Sequence, residues 1–337
     1  MSKTYRVGVM GATGAVGSVM LQILAERNFP VAELRPLASA RSAGKRLRFQ
    51  GEEVEVLELT EKAFRGLDIV LASAGAAVSR QFVRCAVEAG AVVIDNTSAF
   101  RLEADVPLVV PEVNPGDIFR HRGIIANPNC STIIMLVPLK PLHDAARLRR
   151  VVASTYQAVS GTGAQAIAEL ERQVRQYVAG EPLTHQVYPH PIAFNVLPHI
   201  DAFQDNGYTR EEMKMVHETR KMLHDDSIQV SATTVRVPVF TSHSEALQVE
   251  TERKLSAAEA REILAAAPGV KVVDDPATFQ YPMPLNVSGQ DDVWVGRIRE
   301  DISHPRGLAL WVAGDQLRKG AATNAVQIAE ILIRGKA

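Results

Sequence analysis

The stretch "YRVGVMGATGAVGSVMLQILAER" near the amino terminus narrows the fold more than any other part of the chain. "YRVGVM" predicts a short strand. After it, Val16, Val19, Met20, Ile23 and Leu24 recur at helical spacing and predict a helix with one apolar face. Between the two lie Gly11, Gly14 and Gly17, spaced GxxGxxG. A glycine-rich turn from strand to helix lets backbone N–H groups approach a pyrophosphate, and the positive end of the helix favours its charge. The spacing is not GxGxxG, so the reading leans on the position of the loop directly after the first strand.

Further strands are expected at "ELRPLAS", "DIVLASA" and "AVVIDN", with a helix at "SRQFVRCAVEAG", closed by Gly90, between the last two. Strands spaced by helices predict a parallel sheet covered on both faces. The second half changes character. "RRVVASTYQAVSG" predicts a long strand and "AQAIAELERQVRQYV" a helix, followed by an irregular stretch over 180–206. Then "SIQVSATTVRVPVF", "EALQVETER", "DVWVGRIRE" and "GLALWVAGD" predict an antiparallel sheet with one exposed face. The tail "GAATNAVQIAEILIRG" is helical and is expected to return to the first domain. A chain of 337 residues suits such a pair, a nucleotide-binding α/β domain and an α+β domain.

Several function classes are disfavoured. A net charge of −1 gives no support to a nucleic-acid partner. Two distant cysteines, Cys85 and Cys130, make neither a disulfide framework nor a four-cysteine zinc site, and His185, His190 and His199 lack the accompanying ligand spacing. No apolar run reaches membrane-span length, and the start lacks the apolar run of a secretory signal. A soluble, cytoplasmic protein without a metal is expected.

The region about 20 residues past the glycines usually carries an acidic residue when the dinucleotide is NAD. Here it reads "LASARSAGK", with Arg41, Ser42 and Lys45 and no carboxylate. A cationic, hydroxyl-bearing loop suits a 2′-phosphate, so NADP is the expected cofactor.

"NPNCST", residues 127–132, places a thiol at a polar kink between two apolar runs. Pro128 disfavours helix at Asn127, while the residues after Cys130 have helical spacing, with Ser131 and Thr132 as candidate caps. Cys130 is therefore expected at a helix start, where the dipole favours a thiolate. Cys85, inside a helix, reads as a buried packing residue. Among nine histidines, His243 in "PVFTSHSEALQVE" stands in a small polar stretch between two strands, a loop position aimed away from the core. Arg101 follows a strand, and Arg236 interrupts a β-branched run, where it either faces water or binds an anion.

Together "GATGAVG", "LASARSAGK", "DNTSAFR", "VPEVN", "NPNCST", "STYQAVSG", "EEMKMVHETRK", "RVPVFTSHSE", "VGRIR" and "KGAATNAVQIAE" run in order along the chain, which resembles the bacterial aspartate-semialdehyde dehydrogenases from end to end. The resemblance implies an α/β fold with a discontinuous Rossmann-type NADP-binding domain, 1–128 plus 316–337, and an α+β catalytic and dimerisation domain, 129–315. It implies reduction of β-aspartyl phosphate to aspartate semialdehyde with release of phosphate. Cys130 is then the nucleophile, His243 the acid/base, and Gln157 orients the substrate. Arg236 binds the substrate carboxylate. Arg101, Asn129 and Lys214 bind phosphate, and Glu211 meets the substrate amino group, with the adjacent Glu212 an alternative. Gly11, Thr13, Gly14, Ala15, Val16, Arg41, Ser42, Ser160, Gly161 and Gln316 are the expected dinucleotide contacts, although Asn is commoner at the last of these positions. A homodimer is expected, with a tetramer as alternative.

Related enzymes differ at the thiol. N-acetyl-γ-glutamyl-phosphate reductases resemble Gly-Cys-Tyr-Pro-Thr there, and glyceraldehyde-3-phosphate dehydrogenases Ser-Cys-Thr-Thr-Asn, neither of which "NCST" matches. A non-catalytic dinucleotide-binding relative is expected to lack the thiol or the histidine. Arg41→Ala is expected to weaken NADPH binding much more than NADH binding in fluorescence titrations; equal losses for both refute the 2′-phosphate role.

Overall fold

The glycine loop leads into a parallel sheet. In a computed structural model that describes residues 3–335, the chain forms two units, Met1–Asn129 with Ala321–Ala337, and Cys130–Gly320. Residues 316–320, expected with the terminal helix, group with the second unit instead. Among the described residues, no helix is long and apolar enough to cross a membrane.

The first unit begins with β1 (Tyr5–Met10), α1 (Ala15–Glu26) and β2 (Val31–Ala38). Next come β3 (Arg46–Phe49), β4 (Glu52–Glu55) and β5 (Leu57–Glu58), then β6 (Ile69–Ala72), α2 (Ala76–Glu88), β7 (Val92–Asp95) and β8 (Ile124–Ala126). Six of the strands form one sheet in the order β5-β2-β1-β6-β7-β8, with every pairing parallel. The chain moves to one side of β1 and later to the other, so the loop after β1 lies at a topological switch point, the usual ligand position in such sheets. Val7, Val9, Leu71, Ile94 and Ile125 from the strands pack with Met20, Ile23 and Leu24 of α1 and with Val326 and Ile328 of the terminal helix Thr323–Arg334. That helix thus belongs to the first unit.

The β3–β4 hairpin was not expected from the sequence. Its charged alternation, with Arg46 and Arg48 opposite Glu55 and Glu53, masks the strand pattern. The turn signal was present: Gln50 and Gly51 have φ of 49° and 89°, both positive as a type I′ turn requires. Cys85 is only half-buried on α2, its Sγ directed at the Gln81 carbonyl, so the expectation of a buried packing residue is corrected.

The second unit opens with α3 (Cys130–Ala146), then β9 (Leu148–Gln157), α4 (Ala164–Val178), α5 (Arg210–Leu223), β10 (Gln229–Arg236) and β11 (His243–Thr251). It continues through α6 (Ala257–Ala265), β12 (Val270–Val272), α7 (Pro284–Val287), β13 (Val293–Glu300) and β14 (Gly307–Gly314). The sheet order is β10-β9-β11-β14-β13-β12. It is mixed rather than antiparallel: β9–β10 and β12–β13 pair parallel, and the central pairs antiparallel. Parallel pairing of β9 with β10 requires a long connection between them, and the one here carries α4 and α5. One face of the sheet is packed by α3, which is buried without interruption from Ser131 to Leu139. The opposite face leaves Tyr156 and Trp311 partly exposed, their ring centroids 5.4 Å apart.

Residues 180–206 are irregular, as expected. Their backbone donors find partners in α4 rather than in a sheet. Glu169 accepts from the N–H groups of Gln186 (2.7 Å), Val187 (2.9 Å) and Tyr188 (3.4 Å), and Gln173 from those of Ile192 (2.9 Å) and Ala193 (2.8 Å). Burial pushes the Glu169 carboxyl up, but these donors outweigh it and hold the group below its ordinary range. Two fully buried polar side chains thereby shape a loop that has no ladder of its own.

The glycine turn itself is tight. A Cβ on Gly17 would lie 2.1 Å from the Gly11 carbonyl oxygen. Gly17→Ala is therefore expected to cost about 1–3 kcal/mol, the usual penalty for overpacking, read as a lower denaturation midpoint; an unchanged midpoint contradicts the close approach.

Candidate active site

Cys130 is the first residue of α3, so Ser131 and Thr132 lie in its first turn rather than at its cap. The sulfur is half-buried, and the helix start favours negative charge on it. His243 lies 3.5 Å away, measured from Nε2 to Sγ. The structure corrects the expected loop position of this histidine: His243 is the first residue of β11 and is fully buried. Ser242, just before it, has φ of 73°, a left-handed conformation that costs energy outside glycine. Its N–H donates to Gln316 Oε1 at 2.7 Å, and its hydroxyl lies 2.9 Å from that of Ser288. These contacts hold the sharp turn that delivers the imidazole inward.

The ring is fixed at its other nitrogen as well. The Ala158 backbone N–H donates to His243 Nδ1 at 3.0 Å. Burial, with a smaller contribution from the Arg236 charge, pushes the imidazole well below its ordinary value. The same Ala158 presents its carbonyl to Arg236 Nη1 at 2.7 Å. Arg236 is buried, and its Nε has no protein partner. A buried guanidinium with an unused donor fits an anionic ligand such as a carboxylate. This favours the anion-binding alternative over a water-facing one.

Gln157, paired with Arg236 across β9 and β10, donates from Nε2 to Ser131 Oγ at 2.8 Å, with Thr155 Oγ1 at 3.3 Å and Glu211 Oε1 at 3.4 Å. The two glutamates that open α5 separate clearly. Glu212 completes a capping box, accepting the Thr209 N–H at 2.7 Å, and also accepts the Thr234 N–H at 2.9 Å. Its carboxylate is thus committed to structure. Glu211 instead lies between Gln157 and Lys214, whose Nζ is 3.0 Å from Glu211 and 2.9 Å from Asp201. Burial lowers the Lys214 ammonium, but Glu211 and Asp201 outweigh it and raise the group above its ordinary value.

The expected dinucleotide contacts divide between the units. In the first, the N–H groups of Gly11 and Ala12 donate to the Leu37 carbonyl at 2.8 and 3.2 Å, tying the glycine loop to the end of β2. Just beyond that end, Ala40–Ser42 form a short 3₁₀ turn, with Arg41 and Lys45 exposed and Ser42 buried. Thr13 and Gly14 are exposed, and Ala15 and Val16 sit half-buried at the start of α1. A Cβ on Gly11, whose φ is 85°, would come within 3.0 Å of the Ala74 backbone. A bare backbone turn beside a basic one fits a dinucleotide that carries an additional phosphate. In the second unit, Ser160 and Gln316 are buried and bonded to each other, and Gly161 is exposed.

Arg101 and Asn129 lie in the first unit and are both buried. Arg101 donates to the carbonyls of Asn127 (2.9 Å) and Asn96 (2.8 Å). Asn127, the first residue of "NPNCST", is a structural anchor, accepting from Asn324 Nδ2 at 2.6 Å and donating to Asn96 Oδ1 at 2.5 Å.

Two buried polar residues escaped sequence reasoning. Ser131 looked like a cap yet holds Gln157. Glu245, two residues past His243, is fully buried, and neither carboxyl oxygen has a protein partner. Its signal was a charge inside "HSEALQV", a run that otherwise reads as a strand.

Known proteins are similar to this chain along its length. The description "Semialdehyde dehydrogenase, NAD binding domain" matches residues 6–121, and "Semialdehyde dehydrogenase, dimerisation domain" matches residues 139–319. The chain is 58% identical over 337 residues to an aspartate-semialdehyde dehydrogenase of Legionella pneumophila, covering 99% of this chain and 97% of that one. Identity to the aspartate-semialdehyde dehydrogenase of Aquifex aeolicus is 56% over 334 residues, with 98% of each covered. Aspartate semialdehyde dehydrogenase II of Vibrio cholerae, solved in complex with ASA, superposes with a TM-score of 0.97 at 50% identity, covering 100% of both chains. The Candida albicans enzyme, solved with NADP, gives 0.75 at 26% identity over 98% of each.

Burial pushes the Glu245 carboxyl well above its ordinary value of 4.5. Below that value both the folded and the unfolded chain hold the proton. Above it the unfolded chain ionises first, so the group subtracts increasingly from stability as pH rises towards the folded value. Glu245→Gln removes this term. Its denaturation midpoint is expected to exceed that of the wild type by a margin that widens as pH rises above 4.5; a margin independent of pH contradicts a neutral Glu245.

Proposed function

The chain belongs to the aspartate-semialdehyde dehydrogenase family, and on that premise we propose that it reduces L-aspartyl-4-phosphate to L-aspartate 4-semialdehyde with NADPH, through a thioester on Cys130. The observation that carries this reading is the thiol at the start of α3 with His243 Nε2 3.5 Å from its sulfur. The reaction serves the synthesis of lysine, threonine, methionine and diaminopimelate, and the same reading sets the enzyme in the cytoplasm.

Cys130 attacks the acyl carbon as a thiolate, stabilised by the start of α3. The carbon–sulfur bond forms as the carbon–oxygen bond to phosphate breaks. Bound NADPH supplies a hydride for the thioester carbon, which is more electrophilic than a carboxylate carbon. The resulting thiohemiacetal then releases the semialdehyde and frees the sulfur. His243 attends the sulfur throughout. Arg236, with its unused Nε, receives the substrate carboxylate, and Glu211 receives the substrate amino group, since Glu212 is committed to the helix cap. Gln157, held by Ser131, orients the acyl group. The family resemblance assigns the phosphate to Arg101, Asn129 and Lys214. The glycine loop holds the dinucleotide diphosphate, Arg41 and Ser42 its 2′-phosphate, and Ser160, Gly161 and Gln316 its remaining parts.

We further propose a homodimer through the outer face of the second sheet. Tyr156, Trp311, Val152, Ser154 and Ala246 are partly exposed there, a mostly apolar surface that a second copy would cover.

The test is a wild-type assay of phosphate-dependent NADP reduction by aspartate semialdehyde, run against NAD. Turnover with NADP is expected; its absence with pure substrate refutes the function. Cys130→Ala is expected to abolish turnover while dinucleotide binding survives, and substantial residual turnover sinks the thioester route.

A further inference from the structure

We propose that Asn324, in the first turn of the terminal helix, is a positioning residue for Arg101, and that a relay of asparagine amides through Asn127 and Asn96 carries its hold to the guanidinium that meets phosphate. The inference rests on the phosphate role that the reading above gives Arg101, and it adds residues to that role. Arg101 lies in a turn, outside every helix and strand, so no element of its own orients it. Asn96 directly follows β7 and Asn127 directly follows β8, where the ladder ends. Their N–H groups still serve the sheet, donating to the carbonyls of Ala72 and Asp95, each at 2.8 Å. Their own carbonyls have turned to Arg101. That of Asn127 accepts from Nε at 2.9 Å and that of Asn96 from Nη2 at 2.8 Å. Two bonds to one planar guanidinium fix both its plane and its place.

Side chains hold those two carbonyls in turn. Asn324 Nδ2 donates one hydrogen to the Val109 carbonyl at 3.0 Å and the other to Asn127 Oδ1 at 2.6 Å. Asn127 Nδ2 donates to Asn96 Oδ1 at 2.5 Å and to the Ala321 carbonyl at 3.3 Å. A carbonyl can only accept, so the Val109 oxygen sets which way the Asn324 amide faces, and the Asn127 amide follows from it. Asn127 and Asn324 are both fully buried, where an amide is costly unless its donors and acceptors are used.

Packing of the terminal helix does not ask for this amide. Ala325, Val326, Ile328 and Ala329 already give it a buried apolar face. The amide at 324 instead reaches a residue 197 positions earlier in the chain. The same anchor fixes the backbone two residues before Asn129, the other residue of this unit assigned to phosphate. Phosphate binding in the first unit thus depends on the return of the chain's last helix. An anion site gains from donors that are already aimed, because they need no reordering when the ligand arrives.

The test is steady-state kinetics with aspartate semialdehyde, NADP and inorganic phosphate, which give separate KM values for phosphate and NADP. Arg101→Ala is expected to raise the phosphate KM about 10–100-fold, as for loss of a charged hydrogen-bond donor, and Asn324→Ala by a part of that, about 3–10-fold, with the NADP KM unchanged. In the Arg101→Ala background, Asn324→Ala is expected to add nothing, because both changes act on one guanidinium. Effects that multiply, or equal rises in both KM values, overturn the proposal. Asn96→Ala cuts the relay at its half-exposed end, away from the helix, and is expected to give the same pattern, so the result does not hang on one variant folding. In ¹⁵N NMR of arginine-labelled protein, the Arg101 Nε–H, assigned from Arg101→Lys, is expected to exchange slowly in the wild type and fast in Asn324→Ala. Equal protection in both overturns the hold. That signal is read without substrate, so a wild type inactive on aspartate semialdehyde sinks the proposed function and leaves this measurement standing.

Discussion

The main chain of Ala158 holds the second unit's chemistry together. Its N–H fixes the His243 ring, and its carbonyl fixes the Arg236 guanidinium. The residue sits where β9 ends and a 3₁₀ turn begins, so its groups are released from the sheet ladder and free to hold side chains. A side chain in that role would have to be ordered at the cost of rotamer entropy; a backbone already fixed by β9 and by the irregular segment 237–240 is ordered by the fold. The thiol faces this frame from the start of a buried helix, the other rigid element.

The sheet beneath the site grades from polar to apolar. Arg236 and Gln157 form one row, followed by Thr234, Thr155, Glu245 and Val312, and then Ala232, Ala153, Leu247 and Leu310. The outermost row binds and positions. The innermost is ordinary core. The middle row carries the cost, for Thr234 Oγ1 and both Glu245 oxygens are buried without partners. Polar groups of this kind subtract from stability. Their row adjoins that of Arg236 and Gln157, as in a protein that trades some stability for a polar reaction chamber.

Sequence periodicity located most elements because the patterns were strong and local. The helix Ala164–Val178 matched its predicted stretch, and the glycine turn fell between β1 and α1. The failures share a cause. His243 looked like a loop residue because the small polar residues around it carry no strand signal, yet register with Gly314 places it first in β11 and fully buried. The second sheet looked antiparallel because strand composition does not report strand direction; the long α4–α5 connection leaves room for the parallel β9–β10 pair. Glu211 and Glu212 were indistinguishable as neighbours in "EEMK", and only the helix start shows that one caps the helix while the other faces Gln157.

The sequence by itself determined the element types, the glycine turn, the cationic loop after β2 and the candidate nucleophile, because each depends on local periodicity, backbone freedom or residue chemistry. The ordered set of short motifs also carried the family. Tertiary structure decided what local pattern cannot encode: that His243 lies 3.5 Å from the Cys130 sulfur across 113 residues of chain, and that Arg236 is buried with a donor to spare. Both follow from pairing between strands far apart in the chain, and strand pairing is a property of the whole sheet.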